Sequence, residues 1–134
     1  NLKDNIKIRK DNFLKQTEFF KKYGDFIITP SQTKNSESAW LAYPIIIKEN
    51  APFKRRDFQI FLENRNIQTR TVFSGNITRQ PGFKNIEMKI CKDGLKNSDD
   101  VMRGGVLLAC HHGLTDDMLT HMHEVCDTFF QQYL

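Results

Sequence analysis

Apolar residues recur along this chain in two rhythms, a helical one near 3.6 residues and a strand rhythm of two. Residues 2 to about 23 follow the first. At about 100° per residue, Leu2, Ile6, Phe13, Thr17 and Phe20 fall on one stripe, with the lysines mostly elsewhere. Arg9 shares that stripe, so it either snorkels past the core or reaches a partner surface. Gly24 is a suitable stop. Residues 25–29 read as a short extended run, and Pro30 with the polar 31–38 as loop. Residues 39–47, aromatic and β-branched, predict a strand. Pro44 has no N–H for a ladder, so the strand is bent, bulged or at an edge there. Pro52 suits the first turn of a helix. Phe58, Phe61 and Leu62, at i, i+3 and i+4, carry it to about Asn64. Residues 67–73 are a second strand candidate, and 74–83 a loop. Ser98 caps a short helix to about Arg103, ended by Gly104 and Gly105. Residues 106–110 read as a buried strand. After the break at Gly113, Thr115 caps the last helix, with Asp116 and Asp117 favourable in its first turn. Its inner face is Met118, Met122, Val125, Cys126, Phe129 and Tyr133.

Few short strands, with helices apolar on one side only, predict an α/β fold. The arrangement that fits is a two-layer sandwich, a small, mostly antiparallel sheet with helices on one face. A length of 134 residues suits one domain, and 11 Phe supply bulky core material. No run approaches the roughly 18 apolar residues of a membrane span, so no membrane partner is expected. No secretory leader is visible, and a cytoplasmic location is expected. The chain begins at Asn1 without a methionine, which suggests a piece of a longer protein.

The net charge of +4 belongs to residues 1–22, while the rest of the chain is balanced. Solvated lysines on one helix account for it, and no nucleic-acid partner is expected. The three cysteines, Cys91, Cys110 and Cys126, form no CxxC pair, which points to free thiols and to no zinc ribbon. Asn76-Ile77-Thr78 matches a glycosylation triplet, with no other sign of secretion. His121 and His123, two apart on a helix, face different ways, and His111-His112 has no acidic partner at ligand spacing, so no metal is expected. Cys110 beside His111 is poor geometry for a nucleophile and base, because adjacent strand residues point to opposite sides. His111 does lie where a strand meets a helix N-terminus, a junction that often faces ligands.

The segment from Thr69 to Pro81 carries the most chemistry. Arg70 and Arg79 can fork onto a carboxylate or phosphate. Asn76 can read hydroxyls, as on a sugar. An ordinary loop with both arginines in surface ion pairs fits these residues equally well.

Ser38-Ala39-Trp40-Leu41-Ala42-Tyr43-Pro44 is followed by Ile67-Gln68-Thr69-Arg70 and by Phe73-Ser74-Gly75-Asn76-Ile77-Thr78-Arg79-Gln80-Pro81. Asn97-Ser98-Asp99 and Gly113-Leu114-Thr115 come next. In this order and spacing the set resembles the C-terminal domain of the pyridoxal-phosphate sugar aminotransferase superfamily that includes DegT, DnrJ, EryC1 and StrS. The run Ser74 to Pro81 is closer to its 3-dehydratase branch. One departure is His111-His112, where many relatives have an aromatic residue and a proline. The resemblance implies that residues 1–134 are the C-terminal small domain of a larger enzyme. That enzyme would act on a nucleotide-linked 4-keto-6-deoxy sugar, towards deoxysugars of lipopolysaccharide O-antigen. It implies PLP or PMP in the full-length protein, held mainly by an N-terminal domain, and a full-length homodimer. No catalytic residue, no metal and no bound cofactor are then expected in these residues, which alone would be inactive. Arg70, Phe73, Ser74, Asn76, Arg79 and His111 would border the substrate. The alternative is a non-catalytic binding module that keeps the domain's shape.

Overall fold

The computed structural model describes every residue from Asn1 to Leu134. The chain runs through α1 (Leu2–Phe20), β1 (Ile27–Ile28), β2 (Ala42–Ile47), α2 (Arg55–Glu63), β3 (Arg70–Thr71), α3 (Lys96–Gly104), β4 (Gly105–Ala109) and α4 (Asp116–Phe130). Short 3₁₀ turns at Ile77–Arg79 and Pro81–Phe83 lie between β3 and α3. The sheet has the order β1-β2-β4-β3, with every pairing antiparallel.

The layers follow from alternation along the two central strands. Tyr43, Ile45 and Ile47 of β2 and Val106 and Leu108 of β4 are buried on one face. They meet Phe13 and Phe20 of α1, Phe58 and Leu62 of α2, and Leu119, Met122, Phe129 and Phe130 of α4. Rings dominate this core. Phe130 packs against Tyr23 with centroids 4.2 Å apart and against Phe58 at 5.4 Å. Losing one such ring typically costs about 3–5 kcal/mol. The inner face of α4 is rotated from the pattern expected. Leu119 and Phe130 are buried, whereas Met118 is 54% exposed.

Helix α1 buries two amides that its lysine-rich sequence concealed. Asn12 Nδ2 donates to His111 O at 3.0 Å, and Gln16 Nε2 to Ala109 O at 2.8 Å. They sit at i and i+4, so both satisfy carbonyls at the free end of β4.

Several boundaries differ from the sequence pattern, each for a local reason. The extended run at 25–29 contributes only Ile27–Ile28, as an edge strand. It pairs with Ile46 and Ile47 alone, so β2 has no strand on that side at Pro44, and the proline sits at a local edge. Helix α2 starts at Arg55, where the Asp57 carboxylate accepts the Lys54 N–H at 3.0 Å. Strand β3 is short because Ile67 donates its N–H back to Leu62 O. Helix α3 begins at Lys96, which places Ser98 inside the first turn instead of at the cap. Thr115 does cap α4, its Oγ1 accepting the Met118 N–H at 3.2 Å.

Helix α3 turns directly into β4 through Gly104 and Gly105. A Cβ on Gly104 would lie 2.3 Å from Ile47 O, and one on Gly105 2.6 Å from Val101 O. Only glycine allows the helix end to approach β2 this closely. Gly104→Ala is expected to destabilise the chain by about 2 kcal/mol or more, read as a lower urea midpoint at unchanged m-value.

His123 stacks on Phe19 with centroids 4.1 Å apart, and its buried Nε2 has no hydrogen-bond partner. Burial first, and Lys22 second, pull its pKa down to about 4. Between roughly pH 6.5 and 4 the unfolded chain therefore binds a proton that the folded chain refuses, and stability falls as the pH drops through that window. The loss is on the order of 2–3 kcal/mol. Denaturation of His123→Phe across pH 7 to 4 should show a flatter stability profile than wild type.

Candidate functional site

Strand β3 covers little of β4. Arg70 opposes Leu107 and Thr71 opposes Val106, after which Leu108 and Ala109 have no neighbour on that side. The notch so left is a concavity of about 810 Å³, within the size range of small-ligand sites. Leu107 and Ala109 form its floor, Ile67 and Gln68 one wall, and Leu114, Met118 and Met122 another. Arg70, His111, Asp117 and His121 supply the charged and titratable groups.

Arg70 is exposed and takes part in none of the seven ion pairs of the chain. Its register opposite Leu107 places it on the sheet face turned away from the helices. A free guanidinium over an apolar floor suits an anion that also carries a less polar body. His111 Nδ1 accepts the Gly113 N–H at 3.1 Å, which leaves Nε2 as a free donor in the neutral ring. His121 Nε2 is held by Arg65 O at 3.0 Å.

The loop after β3 is organised differently. Asn76 is 3% exposed. Its Nδ2 donates to Asp99 Oδ1 at 2.7 Å, and its Oδ1 accepts the Thr78 N–H at 3.0 Å and the Thr78 hydroxyl at 2.7 Å. Arg79 forks onto Asp99, with Nη2 to Oδ2 at 2.7 Å and Nε to Oδ1. The Arg79 guanidinium first, and the Asn76 amide second, pull the Asp99 carboxyl down to about 2. Ser74 O accepts Gln80 Nε2 at 3.0 Å, while Phe73 is 96% exposed.

The six residues singled out in the sequence therefore divide into groups. Arg70 and His111 share the notch. Asn76 and Arg79 both donate to Asp99, and Asn76 also holds Thr78. Phe73 and Ser74 border a smaller hollow of about 430 Å³ beside Met102. The sequence reading missed Asp117, His121 and Gln68 in the notch and Asp99 under the loop. Gln68 and Asp99 left a trace, in Ile67-Gln68-Thr69-Arg70 and Asn97-Ser98-Asp99. Two other hollows, of about 590 and 580 Å³, are surface grooves whose charges are largely paired, as in Lys15–Asp116 and Lys96–Asp100.

Two of the three cysteines are taken up by packing, while Cys91 is exposed. Cys110 and Cys126 are buried, and burial raises both thiols, Cys110 to about 11. Arg9 reaches His112 Nδ1 at 3.2 Å, so its head stays on this chain's own surface.

Pyridoxal phosphate would need an amine or imidazole over its ring and a cradle for its phosphate. The notch has two imidazoles, His111 and His121, and no lysine, so the fit turns on the phosphate cradle. The nearby N-terminus of α4 carries Asp116 and Asp117, and Thr115 Oγ1 already takes the Met118 N–H. Two carboxylates there repel a phosphate. These residues alone do not make a site for that cofactor.

Residues 1–129 match the DegT/DnrJ/EryC1/StrS aminotransferase family. The lipopolysaccharide biosynthesis protein RfbH of Salmonella typhimurium is 30% identical over 125 residues, which are 93% of this chain and 28% of that protein. The dTDP-4-dehydro-2,6-dideoxy-D-glucose 3-dehydratase of Saccharopolyspora spinosa is 38% identical over 98 residues, 73% of this chain and 21% of that protein. The chain thus spans under a third of the length of these relatives. In three dimensions it resembles the GDP-4-keto-6-deoxy-D-mannose-3-dehydratase of E. coli with bound hydrated PLP. That likeness has a TM-score of 0.78 at 20% identity, over 90% of this chain and 30% of that one. An aminotransferase from Psychrobacter cryohalolentis gives 0.83 at 14% identity, over 96% of this chain and 35% of that one. Those two structures support the fold, and the sequence match settles the family: this chain belongs to the DegT/DnrJ/EryC1/StrS aminotransferases.

Proposed function

We propose that residues 1–134 are the C-terminal small domain of a larger PLP- or PMP-dependent nucleotide-sugar enzyme. It acts as a 3-dehydratase or aminotransferase on a 4-keto-6-deoxyhexose, in deoxysugar and lipopolysaccharide O-antigen biosynthesis. The observation that carries this reading is the unpaired Arg70 beside the notch, in a chain whose relatives include a sugar 3-dehydratase. A nucleotide sugar has the chemistry that this edge suits, a diphosphate beside a hydroxylated ring. Arg70 meets an anionic group of the substrate, the His111 Nε2–H donates to an oxygen, and the apolar floor excludes water from that side. Phe73 and Ser74 meet the substrate from the separate hollow beside Met102. The rest of the full-length protein holds the cofactor, which supplies the electron sink for the sugar chemistry, and these 134 residues alone are inactive. The enzyme works as a homodimer in the cytoplasm, where Cys91, Cys110 and Cys126 stay reduced. No helix of the chain is long and apolar enough to cross a membrane.

The test is turnover by the full-length protein, supplied with cofactor, on CDP-, GDP- and dTDP-linked 4-keto-6-deoxyhexoses. At least one should be consumed, and Arg70→Ala should lower kcat/KM by about ten- to a hundredfold, the usual effect of removing a charge-assisted contact. The same substitution should leave the melting temperature unchanged, since Arg70 forms no ion pair here. A full-length protein that binds no cofactor and turns over none of these sugars would instead support a non-catalytic binding module.

A further inference from the structure

We infer that Asp99 is a positioning residue: from the first turn of α3 it fixes the 73–80 loop, and so decides where Phe73 and Ser74 stand relative to Arg70. The inference rests on the function proposed above only for what the loop faces.

Both carboxylate oxygens of Asp99 are committed to this loop. Oδ1 accepts Asn76 Nδ2 at 2.7 Å together with Arg79 Nε, and Oδ2 accepts Arg79 Nη2 at 2.7 Å. The two donors play unequal parts. Arg79 is well exposed, and a solvated pair of this kind restrains a loop weakly. Asn76 is buried, and leaving its amide without an acceptor is costly. Asn76 also transmits the restraint, because its Oδ1 holds both the backbone and the hydroxyl of Thr78. The loop is thus hung on one carboxylate through a buried amide.

The backbone next to this knot has a second hold. Gly75 adopts φ +68°, and a Cβ there would lie 2.5 Å from Met102 Cβ. The loop consequently lies directly on α3, at a position that L-residues rarely occupy. Gln80 closes the turn by donating to Ser74 O at 3.0 Å. None of these contacts involves the ring of Phe73, which stands 96% exposed one residue before the pinned segment. Strand β3 holds Arg70 on the sheet opposite Leu107 a few residues before the loop, so a shift of the loop moves Phe73 and Ser74 relative to it. Arg79 gives its Nε and Nη2 donors to Asp99 and keeps its Nη1 side in solvent, so the buried Asn76 amide is the stronger of the two holds.

The experiment uses the full-length protein with Asp99→Ala and Asp99→Asn. Hydrogen-exchange mass spectrometry reads peptides covering 74–80, with peptides from β2 and β4 as internal controls. In Asp99→Ala the loop amides should exchange about tenfold faster while the strand amides hold. Asp99→Asn keeps an acceptor for Asn76 and loses the charge, so it should fall between. If Asp99→Ala does not fold, Asp99→Asn carries the comparison alone. With the nucleotide sugar that wild type turns over, KM should rise in the same order while kcat stays within about twofold, as for a lost uniform binding contact. Unchanged loop exchange in the variants overturns the inference. Faster loop exchange with both kinetic constants unchanged also overturns it, because the loop would then position nothing the reaction uses. A wild type without turnover strikes the proposed function instead, and leaves the exchange comparison to decide the role of Asp99.

Discussion

The pairing of β2 with β4 is the constraint on which the rest of the molecule depends. It joins the two halves of the chain from Ala42 opposite Ala109 to Ile46 opposite Gly105. Everything that bears on function hangs from β4. Its outer edge carries Arg70 through β3, its C-terminal end leads into His111, and its N-terminal end is continuous with the helix that holds Asp99. Two features keep the pairing in register. Gly104 lets the end of α3 close onto Ile47, and Asn12 and Gln16 occupy the carbonyls that β4 leaves free at its other end. A register slip of one residue would turn Tyr43, Ile45 and Leu108 out of the aromatic core.

The architecture divides stability from chemistry across the two sides of the sheet. Toward the helices the chain buries rings and aliphatic side chains, and the Asn12 and Gln16 amides there donate to backbone carbonyls while the Tyr23 hydroxyl donates to Asp127. Tyr23, whose hydroxyl donates to Asp127, is raised in pKa chiefly by burial, which marks that side as closed. At the β3 edge the sheet is left short, the floor is apolar and a cation is left unpaired. A side chain kept free of internal partners on a rigid strand is available for recognition, and costs the fold nothing when it is engaged.

The layers and most helices were legible in the sequence because periodicity reports burial directly. The Thr115 cap and the stop at Gly104-Gly105 were legible for the same kind of reason, since caps and stops depend on local backbone chemistry. The two-residue strands were not. Their length is set by which neighbours offer a free edge, and 67–73 looks like a strand throughout although Ile67 gives its N–H to α2. Asn12 and Gln16 were hidden because amides among lysines read as surface, and only the fold reveals the carbonyls they face. The candidate site was legible by residue type, and the partners of each side chain were not. Arg70 and Arg79 look alike in sequence, yet one has no acidic neighbour and the other has Asp99, twenty positions away. No periodicity carries that distinction.

The central claim is that the β3 edge of this chain forms one wall of a nucleotide-sugar pocket in a larger protein. A crystal structure of the full-length protein with a nucleotide-linked 4-keto-6-deoxyhexose bound tests it most directly. The account predicts the Arg70 guanidinium in ion-pair contact with an anionic group of the ligand, and the Asp99–Asn76 contact intact behind it. A ligand seated out of reach of the β3 edge, with Arg70 in solvent or paired to another carboxylate of that protein, would contradict it.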